Sequence, residues 1–493
     1  MPPTILRKGR LLLTIVAAVI TAACAVGPDY RPPVETLAHD FHGSAAMEQR
    51  TGAVAAPPLS TWWTGFNDPE LNLVVSRALA QNLDLAQAVA RVSQARAGTK
   101  AALSALLPSG QVTADAARAH QSLEDQLGRV ESASPDFNRN GGLYDLGIGA
   151  SWEIDLFGGL RRSREAAEAE YQASDAARAA TQLTVVAEAA DTYVLVRTLQ
   201  ARIDLAQGQA RTQQKLVDLV RLQYSRGVAS EFQLRQAEGQ SADVAAAIPG
   251  LETDLNSALN SLDVLMGSAP GTYRAELENP GAIPHAPAVQ TADGPTSLLR
   301  RRPDIIAAER RLAASNARIG EAISGYYPKI SLTGLIGSST TVAGNLLSSD
   351  ANLAQGIAGL RWRLFDFGQV DAEVKSAKGK NAEALAAYRL TVLEATAEVE
   401  NAFSALVKHE AQIETLSAGE ASLARAQDSA SAGYHTGALS LVDVLDAQAR
   451  LQRTQDERIL AQSAAAHAAI ASFRALGGGW GDDVSEVKIA ARR

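Results

Sequence analysis

From Tyr144 the chain alternates. Even positions read Tyr144, Leu146, Ile148, Ala150, Trp152 and Ile154, and odd positions read Asp145, Gly147, Gly149, Ser151, Glu153 and Asp155. A period of two puts apolar side chains on one face of a strand and polar or small ones on the other. A second run sets Ala354, Gly356, Ala358, Leu360, Trp362 and Leu364 against a face carrying Gln355, Arg361 and Arg363, and Ile330 and Leu332 alternate with Ser331 and Thr333. The pattern predicts four strands, over about 110–120, 143–154, 329–338 and 354–365, of which the first, QVTADAARAH, is the weakest. Their lengths suit tilted membrane-spanning strands of roughly 9–11 residues.

Elsewhere the pattern is helical. No proline stands between Pro135 and Pro249 or after Pro328, and these tracts are rich in Ala, Gln, Glu and Arg. Such tracts read as long helices. One rod is expected from Gly159 to Gly208 and another from Gln369 to Gly419, each followed by a turn and a return helix. A tract of about 49 residues spans about 73 Å at ~1.5 Å per residue, more than one compact core encloses. Small residues are spread around the rods, as in EAAEAEYQASDAARAATQ at 165–182, and Leu and Ile are sparse. That composition favours a wall of closely packed helices over a regular heptad seam. A proline cluster from Pro249 to Pro303 reads as an irregular connector.

The two sides of the connector look like copies. LLPSGQV at 106–112 matches YYPKISL at 326–332, and Asp84 matches Asp304, both 220 residues apart. WEIDLFGGL at 152–160 matches WRLFDFGQV at 362–370, and YSRGVAS at 224–230 matches YHTGALS at 434–440, both 210 apart. The change of offset fits a first-copy loop ten residues longer between Pro108 and Trp152. Four anchors in one order indicate an internal duplication. In the Tyr-Gly-Ser stretches, Gly lets the chain leave helical geometry and Ser230 or Ser440 caps the helix that resumes. The sequence places them as joints partway along each return helix. The expected layout is an N-terminal extended segment 24–61, a first repeat 62–266, a connector 267–302, a second repeat 303–476 and a tail 477–493.

Composition narrows the function. The chain has 493 residues, 46% hydrophobic but only 5% aromatic, with a net charge of −8 and no basic domain. Nucleic acid is therefore not an expected partner. Arg7, Lys8 and Arg10 precede an apolar run from Leu11 to Ala22 and then TAAC, ending in the single cysteine, Cys24. This is a secretory signal over 1–23, and the small-residue run into Cys resembles a bacterial lipobox that would make Cys24 a lipid attachment site. Thr21 stands where that motif usually has Leu, so an ordinary signal peptide is the alternative. Removing the signal leaves a net charge of about −11. His409-Glu410 has no His three residues later, and there is no G-x-S-x-G, Walker loop or dinucleotide fingerprint. No enzyme, cofactor or metal site is expected. Arg300, Arg301 and Arg302 read as a solvated helix entrance.

Tyr326, Tyr327, Trp152 and Trp362 sit at the strand–helix junctions, where an outer-membrane barrel carries its aromatic girdle. A soluble hairpin on a helical scaffold remains the alternative. Four strands cannot close a barrel, and open edges in lipid cost several kcal/mol per unpaired backbone group, so a membrane location demands oligomers. Two chains would give eight strands and three would give twelve.

Here the chain resembles the TolC-like outer-membrane factor family, in its lipoprotein branch. The carriers are CAVGPDYRPP at 24–33, WWTGFNDPELNLVVSRALAQNLDLAQAVARVSQARA at 62–97, RRPDIIAAERRLAASNARIGEAISGYYPKISLTG at 301–334 and GYHTGALSLVDVLDAQ at 433–448. The resemblance implies a mainly α protein with a membrane β part. Its trimer would have a twelve-stranded barrel and a long periplasmic α-barrel, with docking to a periplasmic adaptor and an inner-membrane, proton-driven pump. It implies gated passive export of small molecules and no catalysis. It also implies an acidic constriction, for which Asp428 and Asp218, each six residues before the repeated Tyr, are the candidates. The exit duct of a type I protein secretion system and a pore-free periplasmic scaffold are the competing readings.

Overall fold

The structure, a computed structural model, describes residues 25–50, 57–135, 137–289 and 294–481. The duplication is visible in element lengths. Helix α1 spans Pro69–Gln81 and α2 Leu83–Ser104. Strands β1 (Ser109–His120) and β2 (Asn140–Ile154) follow, then helices α3 (Gly159–Ser225) and α4 (Glu231–Leu265). The second copy comprises α5 (Pro303–Ser324), β3 (Lys329–Thr340), β4 (Asn352–Arg361), α6 (Gln369–His435) and α7 (Leu441–Ala475). Helices α2 and α5 both have 22 residues, β1 and β3 both 12, α3 and α6 both 67, and α4 and α7 both 35.

Contacts divide the chain into two units, the first comprising the segment up to Pro33 with Val92–Ala173 and Glu309–Ala387, the second Val34–Arg91, Ser174–Ala308 and the chain from Tyr388. The first unit holds one antiparallel sheet in the order β1-β2-β3-β4. Its registers include Val112↔Ile148, Ile148↔Ile336, Trp152↔Leu332 and Ile330↔Leu360. The loop between β1 and β2, the longer one, carries a short helix, Gln126–Glu131. Strand β4 stops at Arg361, short of the expected 365. Its last residue pairs with Lys329, and the next residue back is Pro328, which has no N–H to extend the ladder.

The second unit has the main core. Trp62, Trp63 and Phe66 of a 3₁₀ segment, Leu71 and Val75 of α1, Tyr193 of α3, Leu262 of α4, Phe403 of α6 and Phe473 of α7 are buried together. Trp62 stacks on Phe473 with centroids 5.3 Å apart. Ala189, Ala190, Ala466 and Ala469 are fully buried among them. The alanine richness of the sequence thus serves close helix–helix contact, where little side chain separates the backbones.

Single hydrogen bonds recur under the same offsets. In the first unit the Trp152 indole N–H donates to the Leu106 carbonyl at 2.9 Å, and Trp362 donates to Tyr326 at 2.9 Å. In the second unit Asn82 donates to the carbonyl of Leu265, the last residue of α4, at 3.0 Å, and Arg302 donates to that of Ala475, the last residue of α7, at 3.1 Å. Gly267 and Gly477 end those helices with φ of +68° and +79°. Each lies against the backbone of the residue preceding that donor, Gln81 or Arg301.

Arg302 is not the solvated residue the sequence suggested. It is buried, and its guanidinium also meets Asp304 at 2.6 Å and Glu398 at 2.7 Å. The helix around Arg300 turns one of three arginines inward, where two carboxylates and a helix C-terminus need donors.

Candidate functional site

Two regions carry features beyond scaffold, and each lies within one unit. The first is the sheet. On one face Val112, Ile148 and Ile336 line up across three strands, 69%, 56% and 61% exposed, and Leu360 is 67% exposed. Trp152, Leu332 and Trp362 extend this face. The opposite face is mostly polar or glycine, with Gln111, Thr113, Asp115, Asp145, Ser331 and Gly359. A contiguous row of large exposed apolar side chains on one sheet face marks contact with lipid or protein. Trp362, Leu364, Phe365 and Phe367 lie just past β4, all exposed. Phe157, past β2, instead stacks on Tyr327 at 4.6 Å.

The N-terminal segment docks at this end of β2. The Val26 N–H donates to Phe157 O at 3.1 Å. The buried Arg162 guanidinium holds the carbonyls of Val26 and Gly27, at 3.1 and 3.3 Å, and the Asp29 carboxylate at 2.8 Å. Cys24 and the signal 1–23 lie outside the described residues.

The second region is the pair of helix hairpins in the second unit. Helix α3 runs through Gly208 to Ser225, and α6 through Gly419 to His435. The Tyr-Gly-Ser stretches are therefore the hairpin turns themselves, not joints within a return helix. Glycine inside a helix costs only about 1 kcal/mol relative to Ala, which a long packed rod absorbs. The true stops need a left-handed residue and a cap. Gly227 and Gly437 supply φ of +73° and +79°. The N–H of Val228 closes on Gln223 O at 2.9 Å, and that of Ala438 on Gly433 O at 2.8 Å. Ser230 and Ser440 then form capping boxes with Gln233 and Asp443. The hydroxyl and N–H of Ser440 hold the Asp443 carboxyl below the usual carboxylate range.

The two turns pack together through Val217, Val220, Leu234, Ala237, Leu441 and Leu445. The repeated tyrosines are not equivalent. Tyr434 donates from its hydroxyl to Gln223 Oε1 at 2.6 Å, and burial raises its pKa. Tyr224 is exposed. Val228, at 74%, and Phe232, at 72%, are exposed at the tip of the first hairpin.

Asp218 and Asp428 occupy matching places, one and a half to two turns before the helix ends, and both are exposed. Their surroundings differ. Asp218 accepts from Gln214 at 3.0 Å and from Arg221 at 3.3 Å. Among the described residues no cation pairs with Asp428. Sequence reasoning missed the Tyr434–Gln223 bridge and a buried cluster around Arg197. Arg197, 1% exposed, donates to the Tyr193 hydroxyl at 2.9 Å, Gln200 at 2.8 Å and the Asn279 carbonyl at 2.6 Å, and pairs with Glu70. Tyr193 in turn donates to Asp68 at 2.7 Å. Burial lowers the Arg197 pKa, while Asp68 opposes that shift. No group of metal-ligating side chains occurs among the described residues.

The sequence profile of the outer membrane efflux protein family matches residues 74–268 and 294–478, one segment per repeat. The chain is 32% identical to the pyoverdine export outer membrane protein OpmQ of Pseudomonas putida, over 87% of this chain and 90% of that one. It is 30% identical to nodulation protein T of Rhizobium leguminosarum bv. viciae, over 90% and 88% of the two chains. The solved outer-membrane channel OprN is 32% identical and superposes with a TM-score of 0.82, covering 93% of this chain and 100% of that one. The duplicated helices, the four-stranded sheet and these matches together place the chain in the outer membrane efflux protein family, as an outer-membrane channel of efflux systems.

Proposed function

We propose that three copies of the chain join their four-stranded sheets into a twelve-stranded barrel in the outer membrane, wide enough for a passage. The exposed apolar row Val112–Ile148–Ile336 carries this reading, because it is the lipid face such a barrel needs. The polar face lines the lumen. The long helices form a periplasmic duct that takes substrate from an adaptor and a proton-driven inner-membrane pump. Cargo is small molecules, as in the pyoverdine export named for one relative. Cys24 carries the lipid anchor. Support comes from Val26, pinned beside the end of β2, since two residues reach at most about 7 Å.

The hairpin turns are the periplasmic gate and adaptor-docking end. Asp428 is the constriction residue and Asp218 a secondary one, because Asp428 has no pairing cation among the described residues whereas Asp218 has Arg221. Three such carboxylates around one axis repel each other and attract cations. Asp428→Ala is expected to raise single-channel conductance and weaken block by divalent cations, with a smaller effect for Asp218→Ala. Unchanged conductance and block in Asp428→Ala would remove Asp428 from the gate.

A further inference from the structure

Both edges of the sheet are open. Every residue of β1 is exposed, as is nearly every residue of β4, whereas β2 and β3 are largely half-buried. The duplication fixes what completes these edges. Adding 210 to a β2 residue gives its β4 counterpart, and subtracting 220 from a β3 residue gives its β1 counterpart. The rule holds within the chain: the β1–β2 register transforms into the β3–β4 register, and the Trp152–Leu106 bond into the Trp362–Tyr326 bond.

The same rule applies to the β2–β3 pairing, which joins the two repeats. Trp152↔Leu332 becomes Trp362↔Val112, Ser151↔Thr333 becomes Arg361↔Thr113, Ile148↔Ile336 becomes Ala358↔Ala116, and Gly147↔Gly337 becomes Ile357↔Ala117. Four strands cannot close on themselves, so these pairs must join β4 to β1 of a second copy. The transformed register is consistent in chemistry. Apolar-face residues meet apolar-face residues, and Arg361 comes diagonal to Asp115 of the next copy. Lys329 and Glu153 already form such a diagonal ion pair in the chain, at 3.2 Å.

The aromatic stack transforms too. Phe157 on Tyr327 becomes Phe367 on Leu107. Phe367 is fully exposed and has a φ of +52°, in the left-handed region that bulky residues avoid. Leu107 is 57% exposed. The transformed stack gives the Phe367 ring the cover that Tyr327 gives Phe157.

We infer that β4 of one copy pairs with β1 of the next in the register Ala358↔Ala116, and that Phe367 seats on Leu107 of that copy. Leu107 and the β1 edge are thus half of a seam the chain cannot build alone. The inference rests on the channel reading and adds the register and the seat.

Two cysteine pairs test the register in adjacent positions of the ladder: Ala358→Cys with Ala116→Cys, and Ile357→Cys with Ala117→Cys. Copper phenanthroline oxidation is applied to the full chain in membranes, with each single variant controlling for Cys24. At least one pair should give a ladder of cross-linked chains. The same-face shifts, Ala358→Cys with Ala114→Cys or with Arg118→Cys, should give little. A ladder stronger at a shifted pair overturns the register and leaves the channel standing. A folded chain that is monomeric by native mass and forms no ladder at any pair overturns the channel reading as well.

The seat has its own readout. Leu107→Tyr recreates the stack within the repeats and should raise the melting temperature of the assembled oligomer. That gain should vanish when Phe367→Ala is also present. Simple additivity of the two substitutions overturns the seat.

Discussion

Replacing Arg197 with methionine is expected to destabilise the helical unit by about 1–3 kcal/mol for each of the two buried acceptors it strands, the Tyr193 hydroxyl and Gln200 Oε1. The guanidinium is 1% exposed and bonds Tyr193, Gln200 and the Asn279 carbonyl. Those groups come from α3 and from the proline-rich connector, so one side chain fastens the connector to the long helix. Methionine fills the volume but leaves the buried Tyr193 hydroxyl and Gln200 amide oxygen without this donor, and an unsatisfied buried group costs more than a bond contributes. Gln200 also donates to Leu277 O at 2.6 Å, so its orientation is lost as well. Arg197→Lys should fall between the two, because it keeps the charge but not the planar fork. Thermal unfolding of the detergent-purified protein by circular dichroism checks this, with a midpoint several degrees lower for Arg197→Met. An unchanged midpoint would show that the cluster is not what holds the connector.

Gly267→Ala and Gly477→Ala come next in size. A Cβ on Gly267 would lie 2.3 Å from Gln81 O, and one on Gly477 would lie 2.8 Å from Arg301 O. Left-handed strain of about 1–2 kcal/mol adds to overpacking of about 1–3 kcal/mol, or about 2–5 kcal/mol at each site. Gly227 and Gly437 provide the control. Their φ angles are also positive, yet nothing lies within 4 Å of a Cβ there. Alanine at the hairpin turns should cost only the strain. The same unfolding measurement should rank the two pairs. Equal losses at all four positions would contradict the close approach of the helix ends to the residues before α2 and α5.

How legible this fold was depends on the signal each element carries. Strand β2 could be read because its alternation is local, and β4 was overextended because the alternation continues past Arg361 while the ladder stops at Pro328. The hairpin turns were misplaced because a glycine in a helix and a glycine ending one look alike in sequence. The discriminating signal was the serine three residues after Gly227 and Gly437, with a capping partner three further on. Arg302 was read as solvated because Glu398 and Ala475 are far away in sequence. Arg197 was invisible for the same reason, since Glu70 and Asn279 lie far from it in sequence. The candidate carboxylates follow from the family resemblance and their spacing before the repeated Tyr, and the structure adds that Asp218 pairs with Arg221.

Purified, folded protein in planar lipid bilayers is expected to insert as discrete conductance steps of one size, cation-selective and reduced by divalent cations from the side of the hairpin turns. Protein that is folded by circular dichroism and inserted in the bilayer, yet gives no steps, would contradict the channel and leave a pore-free scaffold.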